Sequence, residues 1–110
     1  MNQSIYEYKD YKAYLKDRIG SMPKEGRGFR SLLAETISCQ RAFVSQVLQG
    51  ESHFSLEHGE KIARLLSLGK EETLYFLLLI QFAKAVTSDL KEIFADQMDG
   101  MVKSHLTLRN

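Results

Sequence analysis

The chain has 110 residues, 44% of them hydrophobic and 26% charged, which fits one globular domain with a modest core and excludes a disordered chain. Its net charge of +1 makes no electrostatic case for a nucleic-acid partner, and its single cysteine excludes an internal disulfide. The polar N-terminus and the short apolar run at residues 74–80 predict neither a signal peptide nor a membrane span, so we expect a cytoplasmic protein with no membrane partner.

The first predicted element is an amphipathic helix. From Ile5 to Ile19, apolar and aromatic residues recur at steps of three and four, which is the spacing of one helix face. Gly20 follows as a terminator, and Pro23 and Gly26 predict a loop after it.

Two short helices are predicted next, over residues 29–37 and 40–49. Ser38 and Cys39 interrupt the apolar pattern between them, which indicates a sharp break. Gly50 stands directly after the second helix, where a left-handed glycine commonly ends a helix.

Three further helices complete the prediction. Ser55 is a natural N-cap for a helix over residues 56–66. Residues 70–86 are nearly all apolar and are predicted to form the centre of the core, and a last helix spans residues 90–102. Gly100 is expected to weaken that helix by about 1 kcal/mol relative to alanine. Six helices and no strand predict an all-α fold.

The two short helices have the features that a DNA-binding helix-turn-helix requires. Such a unit needs a small residue early in its first helix, a sharp turn, and a second helix with one apolar and one polar face. Ala34 is the small residue, and Ile37, Cys39, Val44 and Val47 form the predicted inward face. The residues left for the outward face are Gln40, Arg41, Ala42, Ser45, Gln46 and Gln49.

These segments resemble a known family. The run LAETISCQRAFVSQVLQG, continued by LEHGEKIARLLSL, is similar to the phage-repressor and Cro-like helix-turn-helix domain over about residues 29–68. With the opening IYEYKDYKAYL and the run KEETLYFLLLIQFAKAVTSDL, the chain resembles more closely a group of predicted bacterial regulators over about residues 5–95. Those regulators carry this domain before a C-terminal domain of unknown function.

The resemblance implies a lambda-repressor-like domain of five or six helices with an extra C-terminal helix. Residues 1–86 are then the DNA-binding domain and residues 87–110 an amphipathic C-terminal helix. Residues 40–49 correspond to the recognition helix, in which Arg41, Ala42 and Gln46 are expected to contact bases. The expected contacts with the DNA backbone come from Arg30, Gln40, Ser45, Arg27 and Lys24. Gln40 is expected to contact the backbone instead of a base, and its side chain is also a candidate to cap the helix.

Two residues depart from the family pattern. Ser38 occupies the turn position where the family usually has glycine. Phe43 is bulky where the general family has a small or polar residue, so we expect it to pack rather than to contact a base.

Cys39 invites a chemical interpretation as a nucleophile, a redox sensor or a metal ligand. No second cysteine accompanies it, and the spacing to His53 and His58 matches no zinc pattern. We therefore expect a buried structural thiol, and we expect His58 to be a surface residue. The sequence also lacks a catalytic triad pattern and a phosphate-binding loop. These observations predict neither an enzyme nor a metal or cofactor site.

The leading hypothesis is a transcriptional regulator that binds double-stranded DNA as a homodimer. Residues 24–49 carry four basic and two acidic residues, a mild excess of positive charge. The last helix offers an apolar stripe for dimerisation, formed by Leu90, Ile93, Phe94, Met98, Met101 and Val102. The same stripe would also suit packing on the chain's own core. The alternative function is a helical protein-interaction module that keeps the fold without strong DNA binding.

Overall fold

The computed structural model describes residues 4–109, with side chains described to residue 107, and this part of the chain contains no strand. Six α-helices lie in this range: α1 (Tyr11–Gly20), α2 (Arg27–Thr36), α3 (Arg41–Gln49), α4 (Leu56–Leu65), α5 (Lys70–Lys84) and α6 (Ser88–Arg109). Short 3₁₀ turns at Ile5–Glu7 and Pro23–Gly26 precede α1 and α2. The predicted all-α fold is confirmed.

The first predicted helix is divided into two pieces. Ser4 caps the 3₁₀ turn, since its hydroxyl accepts the Tyr6 N–H at 3.3 Å and its own N–H donates to the Glu7 carboxylate at 3.0 Å. Asp10 then starts α1 by accepting the Lys12 N–H at 3.0 Å. The prediction of one continuous helix from Ile5 was wrong because each of these side chains begins a helix of its own.

A left-handed turn sets the start of α2. Lys24, Glu25 and Gly26 have φ values of 56°, 57° and 78°. A Cβ at Gly26 would lie 2.5 Å from the carbonyl oxygen of Ile19, so only glycine fits this position. Because of this turn, α2 begins at Arg27, two residues before the predicted start at residue 29.

The centre of the core is α5, as predicted. Tyr75, Phe76, Leu79 and Ile80 are all fully buried. The helix contacts α1, α4 and α6 as well as the first 3₁₀ turn. This arrangement places a nearly all-apolar helix where it meets protein on most sides, which is what its sequence requires.

The last helix is longer than predicted, since α6 continues through Gly100 to Arg109. It packs along α5, and this contact stabilises a helix that a single glycine weakens by only about 1 kcal/mol. The predicted domain boundary at residue 86 falls in the short connection between α5 and α6. Among residues 4–109, no helix has the length and apolar character needed to cross a membrane.

Candidate nucleic-acid interface

The break between α2 and α3 is a helix-ending Schellman turn. The Ser38 N–H donates to the Glu35 carbonyl at 3.1 Å, and the Cys39 N–H donates to the Ala34 carbonyl at 2.9 Å. Ser38 has φ 58°, the left-handed conformation that favours glycine. Ala34 is 3% exposed, so a small residue lies where the turn closes. The serine therefore adopts the conformation that the family pattern assigns to glycine.

The two faces of α3 differ as the sequence predicts. Val44, Val47 and Leu48 are buried at 1% exposure or less. The residues of the predicted outward face are all exposed: Gln40, Arg41, Ala42, Ser45, Gln46 and Gln49. Within the described chain, Arg41 and Gln46 make no hydrogen bond or ion pair, so their polar groups are available to another molecule.

Gln40 is the N-cap residue of α3, but its side chain makes no capping hydrogen bond. Its backbone carbonyl accepts the N–H groups of Phe43 and Val44 at 3.0 and 3.4 Å. The alternative role of this side chain as a cap is therefore wrong. Its amide is exposed beside Arg41.

The side chain of Phe43 packs on the core side of α3 and not on the outer face of the helix. Its ring meets the edges of Phe54 and His58, with centroids 6.0 and 5.9 Å away. The side chain is half-buried against the core. These contacts account for a bulky residue in a position where base contact would favour a smaller or polar one.

His58 caps the start of α4 and is half-buried, so the expectation of a surface residue was wrong. Its backbone N–H donates to the Ser55 hydroxyl at 3.0 Å, while its Nδ1 accepts the Ser55 N–H at 3.2 Å. Reciprocal bonds of this kind satisfy two groups at the start of α4. The ring is half-buried between Phe43 and Phe54, because the capping geometry turns it towards the back of α3.

Cys39 belongs to the same cluster. Its Sγ lies 3.6 Å from the Ile37 carbonyl and 3.7 Å from His58 Nε2. The side chain is half-buried rather than fully buried and packs against the core. In residues 4–109, no group of three or more His, Cys, Asp or Glu side chains is arranged to hold a metal ion. The contacts of Cys39 are those of a packed thiol at a turn.

The loop after α3 is tied to α1 by hydrogen bonds that the sequence did not predict. Lys12 Nζ donates to the carbonyls of Gly50 and Ser52, both at 2.7 Å. The Tyr11 hydroxyl lies 2.8 Å from His53 Nδ1 and accepts the Phe54 N–H at 3.4 Å. We call Tyr11, Lys12 and His53 the loop anchor.

Burial shifts the pKa values of Tyr11 and His53 in the loop anchor. It raises the pKa of Tyr11 to about 12, so the hydroxyl keeps its proton and can donate to His53. Burial, together with the nearby charge of Lys12, lowers the pKa of His53. The neutral imidazole is therefore the form that the folded chain favours. No sequence pattern marks these bonds, because each joins residues about forty positions apart.

Gly50 does not have the predicted left-handed conformation, since its φ is −128°. A Cβ at this position would lie 2.7 Å from the Gln46 carbonyl oxygen. The glycine is thus required by a close approach to α3, and the prediction of a left-handed residue was wrong.

The N-terminus of α2 carries positive charge and has no side-chain cap. Lys24 and Arg27 are exposed, and Arg30 is half-buried one turn further on. Free N–H groups at a helix start attract anions, and neighbouring basic residues add to that attraction. This end of α2 therefore has the chemistry of a phosphate contact.

The predicted dimerisation stripe on α6 is divided by the fold. Met98 is 2% exposed, and Phe94, Met101 and Val102 are half-buried against the chain's own core. Leu90 and Ile93 are 39% and 56% exposed. Four members of the stripe therefore pack on the chain's own core, which is the alternative stated above for this stripe. The other two remain available to a partner.

Comparisons with known proteins add no relative to this picture. No protein-family model, curated protein or solved structure matches the chain. Membership of the Cro-like family therefore stays a prediction.

Proposed function

We propose that the protein is a sequence-specific DNA-binding transcriptional regulator and that α3 is its recognition helix. The observation that carries this proposal is the row of exposed polar side chains on α3, whose opposite face is fully buried. The row follows a helix-ending turn of the kind that a helix-turn-helix needs. A rigid helix with unpaired polar groups is suited to hydrogen bonding in the major groove.

The proposed base contacts are those of Arg41, Ala42 and Gln46. Arginine bonds the O6 and N7 atoms of guanine, glutamine bonds N6 and N7 of adenine, and an alanine methyl contacts thymine. Arg41 and Gln46 lie on the exposed side of α3 with no competing partner in the described structure. These three side chains would supply the sequence preference.

Contacts with the DNA backbone are proposed for the start of α2 and the flanks of α3. Lys24, Arg27 and Arg30 surround the uncapped end of α2, while Gln40 and Ser45 are exposed on α3. Positive side chains at this end would bind phosphate through charge, without regard to sequence.

A homodimer is part of the proposal. The α3 helix of nine residues is only about 13 Å long and can read only a few base pairs. Two copies on neighbouring half-sites would supply the specificity that one copy lacks. Leu90 and Ile93 on the outer side of α6 are the proposed contacts between copies.

The test begins with selection of bound fragments from genomic DNA, followed by titration of one selected fragment at 50–200 mM salt. Arg30→Ala should make the slope of log affinity against log salt shallower by about 1.8, since it removes one phosphate contact from each copy of the dimer. Lys103→Ala on α6 removes the same charge away from the interface and should leave the slope unchanged. Circular dichroism of both variants checks that each is folded.

Sequence preference is tested by a second variant. Arg41→Ala should reduce discrimination at one base position by about 1–3 kcal/mol and leave the other positions unchanged. Loss of affinity that is equal for every sequence would contradict a base contact. Absence of any salt-sensitive binding by the wild-type protein would contradict the whole proposal.

A protein-interaction module is the second candidate function. It is favoured by the net charge of +1 and by the exposed side chains of Leu32, Leu56 and Leu74. Binding of a protein through these residues would change little with salt, whereas binding of DNA through phosphate contacts falls steeply. The same titrations therefore separate the two functions.

A further inference from the structure

A groove between α5 and α6 lies outside the proposed DNA interface. Its volume is about 730 Å³, within the range of pockets that bind small molecules. Its lining comes from α5, α6 and the first 3₁₀ turn, and includes no residue of α2 or α3. We refer to it as the α5–α6 groove.

The floor of the groove is apolar. Leu78 and Tyr6 are 7% and 8% exposed, and Met101 is half-buried beside them. Leu74 stands at the mouth of the groove with 51% of its surface exposed. An apolar body placed here would remove this exposed surface from water.

Stacked rings form part of the wall. The ring centroids of Tyr6 and His105 lie 4.1 Å apart, with an angle of 19° between the ring planes. The same pair lines a second, smaller cavity of about 310 Å³. The two rings therefore border both cavities. A helix of another chain needs a continuous apolar stripe over several turns, whereas the lining of this groove includes the polar side chains of Gln97, Ser104 and His105.

The polar groups of the groove include one negative charge. Glu71 lines it from the first turn of α5, and Gln97 and Ser104 line it from α6. The Glu71 carboxylate makes no hydrogen bond or ion pair with any residue of the described chain. It is therefore free to pair with a cation that enters the groove.

We propose that the α5–α6 groove is a binding site for a small amphipathic cation, an apolar body that carries a primary or quaternary ammonium group. The apolar body occupies the floor formed by Leu78 and Met101, and the ammonium group lies against Glu71. The size of the groove and its mixed apolar and polar lining fit a small molecule better than a second chain.

The first test uses n-octylammonium with two probes of matched chain length, 1-octanol and octanoate. Binding is followed by NMR from the backbone amides of residues 97–105, at probe concentrations below those that form micelles. Octylammonium should bind about fivefold more tightly than octanol, because one partly exposed ion pair contributes modestly, and octanoate should bind most weakly. Glu71→Gln should remove the difference between octylammonium and octanol.

The second test fills the groove at Gly100. A Cβ at this position meets nothing within 4 Å, and replacing glycine inside a helix favours folding. Gly100→Leu should lower octylammonium affinity at least tenfold. Gly100→Ala makes the same gain in helix propensity without filling the space, and should bind within about twofold of wild type.

Three results would overturn the proposal. Equal affinity for the three probes, unaffected by Glu71→Gln, would mean that apolar contact alone drives binding. Unchanged affinity in Gly100→Leu would place the probe elsewhere. Failure of octylammonium to bind would also overturn it, and a Gly100→Leu variant that then sediments as a different oligomer from wild type would identify the groove as a contact between copies of the chain.

Discussion

Helices α3 and α6 are both amphipathic, but the fold holds them in different ways. The Ser38 turn precedes α3, the loop anchor holds the segment after it, and Phe54 and His58 pack behind it. By contrast, α6 packs mainly along α5, and its Leu90 and Ile93 side chains remain exposed.

The difference shows how one kind of helix can serve two kinds of surface. Directional hydrogen bonds need side chains on a rigid support, and α3 has contacts at both ends and along its back. Apolar contacts are less directional, and α6 presents exposed apolar groups on a helix that lies along one neighbour. The following four predictions test how strongly each helix is held, from the largest expected effect to the smallest.

The same substitution on the two helices should have unequal effects. Leu48→Ala on α3 should reduce the free energy of unfolding by about 2–5 kcal/mol, because it leaves a cavity under a side chain that is 1% exposed. Leu90→Ala on α6 should cost about 1 kcal/mol or less, since 39% of that side chain is already in water. Urea denaturation measures both. Equal losses would mean that α6 is held as firmly as α3.

Removing the charged member of the loop anchor should have the next largest effect. Lys12→Ala should reduce stability by about 1–2 kcal/mol, because it deletes the two hydrogen bonds to the carbonyls of Gly50 and Ser52. Lys16→Ala, one turn further along α1 at an exposed position, is the control and should change stability by less than about 0.5 kcal/mol. If the two variants unfold at the same urea concentration, the anchor does not stabilise the loop.

Serine at the α2–α3 turn should be slightly unfavourable. Ser38→Gly should raise stability by about 0.5–1 kcal/mol, because glycine adopts the left-handed conformation without strain. Ser67 ends α4 with φ 59° and the same pair of backbone bonds, so Ser67→Gly should give a similar gain. Ser45→Gly inside α3 should instead lose about 0.5 kcal/mol. A loss in Ser38→Gly would show that the serine side chain stabilises the turn.

The smallest effect concerns pH. Because the pKa of His53 is lowered in the folded chain, the unfolded chain binds the proton more readily. The contribution of neutral His53 is complete above the unfolded pKa of about 6.5 and is lost as pH falls through the lower folded value. His53→Gln should therefore unfold with less dependence on pH between 7.5 and 5.5. If the stability of wild type and of His53→Gln depends on pH in the same way, His53 is not the source of the pH dependence.

Much of the fold follows from local patterns. Periodicity places the helices, and Ser55 marks the start of α4 because a capping hydroxyl acts on its own first turn. The exposed and buried faces of α3 also agree with the sequence prediction, since a period of 3.6 residues assigns faces without knowledge of neighbours. The errors fall where a local choice was ambiguous, as at Asp10, which begins α1 instead of continuing an earlier helix.

The site is less predictable than the fold, because its supports come from distant parts of the chain. The sequence around His58 predicts a surface residue, and nothing in it indicates that the ring packs against Phe43. Gly50 was assigned a left-handed conformation, whereas its actual constraint is the approach of the Gln46 carbonyl. The bonds from Lys12 to the loop depend on where α1 crosses, which no local pattern contains.

The sequence by itself determined that the chain is all-helical, that α3 has one apolar and one polar face, and that a break at Ser38 and Cys39 separates α2 from α3. These properties depend on residues within one or two helical turns of each other. The tertiary structure alone decided that most of the α6 stripe faces the chain's own core and that a groove remains beside it. It also decided which side chains hold the loop after α3, because such contacts exist only once α1 and α3 have packed.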